Sequence, residues 1–339
     1  MSTVTDHAGR PVVAITGAGI VSPLGRGKQD NWAALTAGRS GIHRIARFPT
    51  DHLRTTIAGT VDFMTAPEEG SAALTYALAE AAALEALAEA GLDSGAFGGP
   101  LFVAAPPVEL EWRQRLALDA EGAQLGESEP GYGRILAAAR ARAHPEHAAS
   151  IHFGSTAMRL KQKIGARGLP ITLSTACASG ATAIQLGAEA IRRGEAERVV
   201  SVGTDGSVTA EALVRFSLLS ALSTQNEVPE KASRPFSKDR DGFVMAEGAG
   251  AFVMETLESA RARGATIFGI VQGCGEKADD FHRTRSKPDG SPATAAVRAA
   301  LEDAGAGPAD IGYINPHGTS TPENDKMQHL LLSEIFGEG

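Results

Sequence analysis

Cys177 sits in Ser174-Thr-Ala-Cys-Ala-Ser-Gly180, between an extended run at 169–173 and a helical pattern marked by Ile184, Ala188 and Ile191. The stretch reads as a strand, a tight turn of small residues, and a helix. A thiol at the head of a helix faces the positive end of the dipole and the unpaired N–H groups of the first turn. Both favour thiolate over thiol, which marks a nucleophile, and small neighbours let a substrate approach the sulfur. The alternative is a buried structural cysteine, since free cysteine packs as a small hydrophobe. The second candidate is His317 in Asn315-Pro-His-Gly-Thr-Ser-Thr-Pro-Glu-Asn-Asp325. It follows 311–315, which reads as a strand, and the C-terminal ends of parallel strands are where α/β sheets place their chemistry. Gly318 lets backbone approach a ligand, and Thr319 and Thr321 bring hydroxyls. A hydrogen-bonded structural histidine is the alternative.

The elements that must position these groups alternate between strand and helix. Val12-Val-Ala-Ile15 is a strand running into Thr16-Gly-Ala-Gly19, an Ala-rich helix covers 72–90 with Gly91 as its stop, and a strand follows at 101–104. The stretch 106–149 gives no clear period except at 134–142, which is helical and basic. Beyond Cys177, strands are expected at 198–203 and 249–254, separated by a loop-like stretch at 217–242 with Pro229 and Pro235. The pattern then restarts, with a strand at 266–271, a helix at 293–305, a strand at 311–315 and a helix at 325–336. Ala82-Ala-Leu-Glu-Ala-Leu-Ala-Glu-Ala-Gly91 matches Val297-Arg-Ala-Ala-Leu-Glu-Asp-Ala-Gly305. This suggests a duplicated βα unit, although two Ala-rich helices also resemble each other by composition alone. The fold expected is α/β, with a first half at 1–260 and a partial second half at 261–339. If the halves match, the second lacks about three strands, which would leave edges and backbone polar groups unpaired.

Composition narrows the class. Thirty-nine glycines, 43% hydrophobic and only 5% aromatic residues among 339 suit layered α/β packing. The two cysteines, Cys177 and Cys274, imply no disulfide framework and fit a reducing cytoplasm. The first ten residues are polar and do not form a signal peptide, and no apolar run approaches the ~20 residues of a membrane span. A net charge of −8 argues against general nucleic-acid binding. Gly17-Ala-Gly19 after a strand is a partial dinucleotide-loop pattern, but Ser22 stands where the third glycine belongs.

Taken together these segments resemble the β-ketoacyl-acyl-carrier-protein synthases, the elongating condensing enzymes of the thiolase fold. The likeness runs from Val13-Ala-Ile-Thr-Gly-Ala-Gly-Ile-Val-Ser-Pro-Leu-Gly25 and Asn31-Trp-Ala-Ala-Leu-Thr-Ala-Gly-Arg-Ser-Gly-Ile42 through Thr175-Ala-Cys-Ala-Ser-Gly180 and Ala190-Ile-Arg-Arg-Gly194. It continues through Arg234-Pro-Phe-Ser-Lys-Asp-Arg-Asp-Gly-Phe243, Glu247-Gly-Ala-Gly250 and His317-Gly-Thr-Ser-Thr-Pro322. The resemblance implies a layered α-β-α-β-α arrangement of two βα halves. It implies acyl transfer from acyl carrier protein to Cys177, then decarboxylation of malonyl carrier protein and Claisen condensation. His317 matches the first catalytic histidine, Thr319 and Thr321 the hydroxyls that hold phosphopantetheine, and Asp279, His282 and Asp325 stand as supporting positions. No metal or nucleotide cofactor is implied. The expected partners are acyl carrier protein and a second copy in a homodimer.

Several features depart from the pattern. The family's Lys-Ser-x-x-Gly-His segment and later Gly-rich loop are expected beyond Gly339, so the second half reads as truncated. Pro316 stands where alanine is common. The stretch 104–151 does not follow the elongating-enzyme pattern, which suggests an unusual, long or modified acyl chain. Its Arg134, Arg140 and Arg142 suit an acidic carrier protein, or simply a solvated helix face. Cys274 reads as structural. A thiolase, a polyketide-type ketosynthase and a non-catalytic chain-length partner are the competing readings; partners of that last kind usually replace the nucleophile, which is present here.

Overall fold

The computed structural model describes residues 4–64, 70–107, 109–142, 144–282 and 285–337. Its strands are β1 (Val13–Ser22), β2 (Gly25–Arg26), β3 (His43–Arg44), β4 (Ile57–Ala58), β5 (Leu101–Ala104), β6 (Ile171–Leu173), β7 (Arg198–Asp205), β8 (Gly248–Thr256) and β9 (Gly269–Val271). β3 and β4 form a separate ribbon. The other seven make one sheet in the order β2-β1-β8-β7-β5-β6, with β9 also on β1. β5 runs parallel to both β6 and β7, whereas β8 is antiparallel to β7 and β1.

Alternation along the strands sorts the core into two faces. Leu101, Val103, Val200, Val202 and Val253 face α2 (Gly70–Glu89) and α6 (Ser155–Ile164). Phe102, Ala104, Val199 and Met254 face α7 (Ser179–Arg192). The described residues thus build three layers, helix on sheet on helix. By length and composition α2 is apolar enough to cross a membrane, against the sequence expectation that no run approaches that length. Here Leu74, Leu78, Ala82, Ala86 and Leu87 are buried in the main core, which accounts for its apolar character.

The other helices surround this centre. α1 (Gly27–Thr36) follows the β1–β2 hairpin. α3 (Trp112–Gln124) and α5 (Pro145–Ile151) fill stretches that had no readable period, and α4 (Tyr132–Ala141) falls on the portion read as helical at 134–142. α3 and α4 cross backbone to backbone at Gly122, where a Cβ would lie 2.1 Å from the Arg134 carbonyl oxygen. α8 (Ala210–Leu218) extends into the stretch expected to be loop from 217. α9 (Leu257–Ala262) follows β8, and α10 (Ser291–Ala304) and α11 (Pro322–Phe336) close the chain.

β1 meets α2 at unusually short range. A Cβ on Gly17 would lie 2.0 Å from the Ala86 carbonyl oxygen, and one on Gly19 equally close to that of Ala82. The Gly17-Ala-Gly19 stretch, expected to follow the strand as a turn, is part of β1 and serves helix-on-strand packing, and helix backbone fills the space a phosphate would need. β8 takes one edge of β1. On the other edge β9 pairs only Val13–Ile15 and β2 only Val21 and Ser22. Between them the Ala18 N–H donates to Glu89 Oε2 and the Ile20 N–H to Glu85 Oε2, both at 2.9 Å. Two glutamates of α2 thereby satisfy the exposed stretch of strand edge.

Asp303, at the end of α10, joins three distant segments. Its carboxylate accepts from Arg10 Nη1 at 2.6 Å, from Arg192 Nη1 at 2.8 Å and from the Cys274 N–H at 2.8 Å. Arg192 also donates to the carbonyls of Val271 and Gln272, and its side chain is 2% exposed. Partial burial pushes the Asp303 carboxyl up, but the Arg10, Cys274 and Arg192 hydrogen bonds outweigh it and hold it at about 2.

Two outcomes follow from these contacts. Gly17→Ala forces α2 off β1 and should lower the urea unfolding free energy by about 3 kcal/mol; an unchanged midpoint would show that the contact is looser. Asp303→Asn removes one of the two carboxylates beside the buried Arg192, leaving only Glu189, and should cost about 2 kcal/mol at neutral pH. Because the folded-state pKa is depressed, this contribution is complete above the ordinary carboxylate pKa of about 4. It fades as pH falls through about 2. Wild type and variant should therefore converge in acid, as followed by chemical unfolding across that range.

Candidate active site

Cys177 lies in a single 3₁₀ turn, Ala176–Ala178, between the end of β6 and the start of α7. Ala176 takes φ +51, a left-handed conformation that costs an L residue about 1 kcal/mol or more. That reversal turns the next residue outward. The Ser179 hydroxyl clamps the turn, accepting from the Thr175 N–H at 2.8 Å and donating to the Ala176 carbonyl at 2.6 Å. The thiol is exposed, so the buried-cysteine alternative falls. Among the described residues the Cys177 N–H has no hydrogen-bond partner. An exposed thiol and an N–H without a partner among the described residues thus belong to one residue at a helix start.

Cys274 contrasts with it. It is half-buried, burial pushes its thiol up, and its N–H is engaged by Asp303. Its surroundings are those of a structural residue.

His317 stands in an exposed loop, not at the end of a strand. The expected strand at 311–315 does not form, because no neighbouring strand pairs with it among the described residues. The strand expected at 266–271 is likewise shortened to the three residues that reach β1. Among the described residues the His317 ring makes no hydrogen bond, which removes the hydrogen-bonded structural alternative.

The loop around His317 is nevertheless firmly held. Gly318 takes φ +51, and its N–H donates to Gln328 Oε1 at 2.9 Å. Ser320 is buried at φ +67. Its carbonyl accepts from the Gly242 N–H at 3.0 Å and its hydroxyl from the Arg234 N–H at 3.2 Å. The Thr319 and Thr321 hydroxyls pair with each other at 2.8 Å. Asp325, 1% exposed in the first turn of α11, accepts from the Phe236 N–H at 2.8 Å and faces Arg240 Nε at 3.3 Å. The 234–243 motif is therefore a clasp on the His317 loop, a role its sequence did not reveal. The signal available was the density of arginine and aspartate in a proline-bounded segment.

The two candidate groups sit on separate supports, and among the described residues no hydrogen bond joins Cys177 to His317. The Thr182 hydroxyl, in the first turn of α7, ties the cysteine turn to the segment after β9. It pairs with Thr175 Oγ1 at 2.9 Å and lies 3.1 Å from Glu276 Oε1, beyond β9. Asp279 follows closely, accepting from the Phe281 and Lys287 N–H groups at 3.0 and 2.8 Å and so closing the loop that carries the exposed His282. Beside α7, a cavity of about 470 Å³ extends from Gly180 and Ile184 across Gly203, Gly250 and Phe252 to Lys28. Its lining is almost wholly apolar.

Asp325→Ala strands the Arg240 guanidinium and frees the Phe236 N–H. It should lower stability by about 3 kcal/mol and accelerate amide exchange at Gly242 and Gly318, measured by native-state hydrogen exchange. Unchanged protection at both amides would place the hold on this loop elsewhere.

Two family models match the chain: the N-terminal domain of beta-ketoacyl synthase over residues 10–99 and 113–260, and its C-terminal domain over residues 268–339. A 3-oxoacyl-[acyl-carrier-protein] synthase 2 of Vibrio cholerae is 35% identical over 335 residues, covering 96% of this chain and 77% of that protein. The solved ishigamide ketosynthase/chain length factor superposes with a TM-score of 0.79 at 30% identity, over 97% of this chain and 79% of its own. A type II PKS ketosynthase, solved with its acyl-carrier protein and a bound hexaketide, gives a TM-score of 0.79 at 28% identity, over 97% and 78%. An exposed cysteine turn at the head of α7, a clasped His-Gly-Thr-Ser-Thr loop and these matches lead to one conclusion: the chain has the thiolase-like fold and belongs to the beta-ketoacyl synthase family.

Proposed function

We propose that the protein is a 3-oxoacyl-acyl-carrier-protein synthase, an acyltransferase working with acyl- and malonyl-loaded carrier protein. The observation that carries this reading is the Cys177 turn, where an exposed thiol and its own unpaired N–H stand together at a helix start. The Cys177 sulfur attacks the carrier thioester, forms a new S–acyl bond and releases the carrier thiol. The carbonyl oxygen becomes an oxyanion in that step, and the Cys177 N–H donates to it. Malonyl carrier protein then loses carbon dioxide, and its enolate carbon attacks the acyl-cysteine. A carbon–carbon bond forms and the thiolate leaves, giving a 3-oxoacyl thioester on the carrier. His317 donates to the enolate oxygen, while Thr319 and Thr321 hold the phosphopantetheine arm. Asp325 and Asp279 support their loops, and His282 lies on the loop that Asp279 closes.

We read the chain as an N-terminal half at 1–260 and a partial C-terminal half at 261–339. The carrier protein is acidic by expectation, and Arg140 and Arg142 are exposed to meet it. Arg134 is not available in the same way, because it donates to the carbonyls of Glu127 and Ser128. A homodimer fits the outer edge of β6, which is unpaired among the described residues and leaves Ile171 and Leu169 exposed. A cytoplasmic, reducing setting keeps the exposed thiol competent. A polyketide-type ketosynthase is the second reading, favoured by the likeness to the ishigamide and hexaketide-bound ketosynthases.

Incubating the protein with acyl carrier protein thioesters and measuring intact mass tests the reading. One acyl adduct should form and map to Cys177, and Cys177→Ala should carry none. An adduct at another residue, or equal labelling of the variant, would sink it. Offering fatty-acyl and polyketide carriers side by side distinguishes the two substrate classes.

A further inference from the structure

The helical cover on the α2 side of the sheet contains a cluster that the condensing chemistry does not use. His144 heads α5, and its side chain is 11% exposed. Its Nε2 is buried without an aligned hydrogen bond. The closest charged oxygen is Glu121 Oε2 on α3, at 3.3 Å. On the other side of the ring, Nδ1 lies 3.6 Å from Glu146 Oε1. His147 stacks on His144 with the ring planes 7° apart and centroids 5.5 Å apart. One ligand atom from each of His144, Glu146 and His147 falls within 4.8 Å of the others.

We propose that His144, Glu146 and His147 bind a divalent transition-metal cation of the zinc class, with Glu121 as the carboxylate behind His144. Two imidazoles and a carboxylate form a donor set that Zn²⁺ accepts, with a water completing the tetrahedron. Nitrogen donors select against Mg²⁺ and Ca²⁺, which take oxygen ligands. The nearby Glu121 carboxylate favours the tautomer with the proton on Nε2. Nδ1 then presents its lone pair towards Glu146. This is the outer-shell carboxylate that metal-ligating histidines commonly have. Closing onto a metal at about 2 Å requires the ligand atoms to converge to about 3.3 Å. Glu146 is 61% exposed and free to swing, and His147 is only half-buried. The ion would tie α5 to α3, bracing the helical cover on the α2 side of the sheet. It lies on the opposite face of the sheet from α7 and has no part in the acyl transfer.

Isothermal titration of the chelator-dialysed full chain with Zn²⁺ tests the site, repeated after alkylation of Cys177 so that the exposed thiol contributes nothing. The result expected is one equivalent bound in both forms, with no heat from Mg²⁺. His147→Gln should abolish that binding, and Glu121→Gln should weaken it about tenfold. Glu146→Gln, at an exposed position, serves as an independent ligand variant and should weaken it at least as much. Thermal melts establish that each variant is folded. No stoichiometric binding by the alkylated wild type, or undiminished binding by folded His147→Gln and Glu146→Gln, overturns the proposal.

Discussion

The closeness of α2 to β1 is the constraint from which the rest of the architecture follows. Helix carbonyls at Ala82 and Ala86 occupy the volume that side chains at 19 and 17 would need. Only glycine meets that requirement, and the approach brings Glu85 and Glu89 to the open N–H groups of the strand. β1 is thereby fixed as the axis on which both parts of the chain hang. β8 pairs along nearly its full length on one side, and β9, the first strand after residue 260, takes the other. From β8 the sheet proceeds through β7 and β5 to β6, whose end is the cysteine turn. The position of the nucleophile is thus set several strands away, by a contact between backbones.

Buried carboxylates make the connections that apolar packing leaves incomplete. Glu255 is fully buried and accepts from the Thr16 and Ser259 hydroxyls, at 2.7 and 2.9 Å, and from Arg263. Burial pushes its carboxyl up, but these hydrogen bonds outweigh it and leave it below its ordinary value. Glu247 shows the opposite balance. Burial pushes its carboxyl up despite Arg47 and the N–H groups of Val61 and Val208. Such groups stabilise only while fully partnered, so each fixes the mutual position of segments far apart in sequence. Asp325 does the same for the two loops around His317.

What could be read from the sequence follows from where the information resides. Strand–turn–helix around Cys177 was legible because its signals are local, and β7, β8 and α2 were found within a few residues for the same reason. The strand expected at 311–315 was not realised, since a strand exists only through a neighbour that pairs with it. The helices α3 and α5 were missed because their sequences lack a clear apolar stripe; α3 buries only Leu118 and Gly122. For the site, residue types identified Cys177, His317, Thr319 and Thr321 as candidates. They could not show that Phe236, Arg240 and Ser320 hold the histidine loop, as those contacts span some eighty residues. Gly17-Ala-Gly19 was a pattern with two physical uses, and only the third dimension distinguishes strand packing from a phosphate-binding turn.

The Asp303 junction also bears on the order in which the chain comes into being. Arg192 is buried at the end of α7; one carboxylate partner, Glu189, is on the same helix, and the other lies 111 residues further on. On a ribosome adding about 5–20 residues per second, that interval is on the order of ten seconds. α2 and α7 have emerged by its start and β7, β8 and β9 follow within it, while the cation has only Glu189 and no opposite charge from α10. Burying it early would be costly, so the end of α7 stays open to water until the last part of α10 arrives. A single aspartate thereby makes the docking of the two parts of the chain a late event in synthesis.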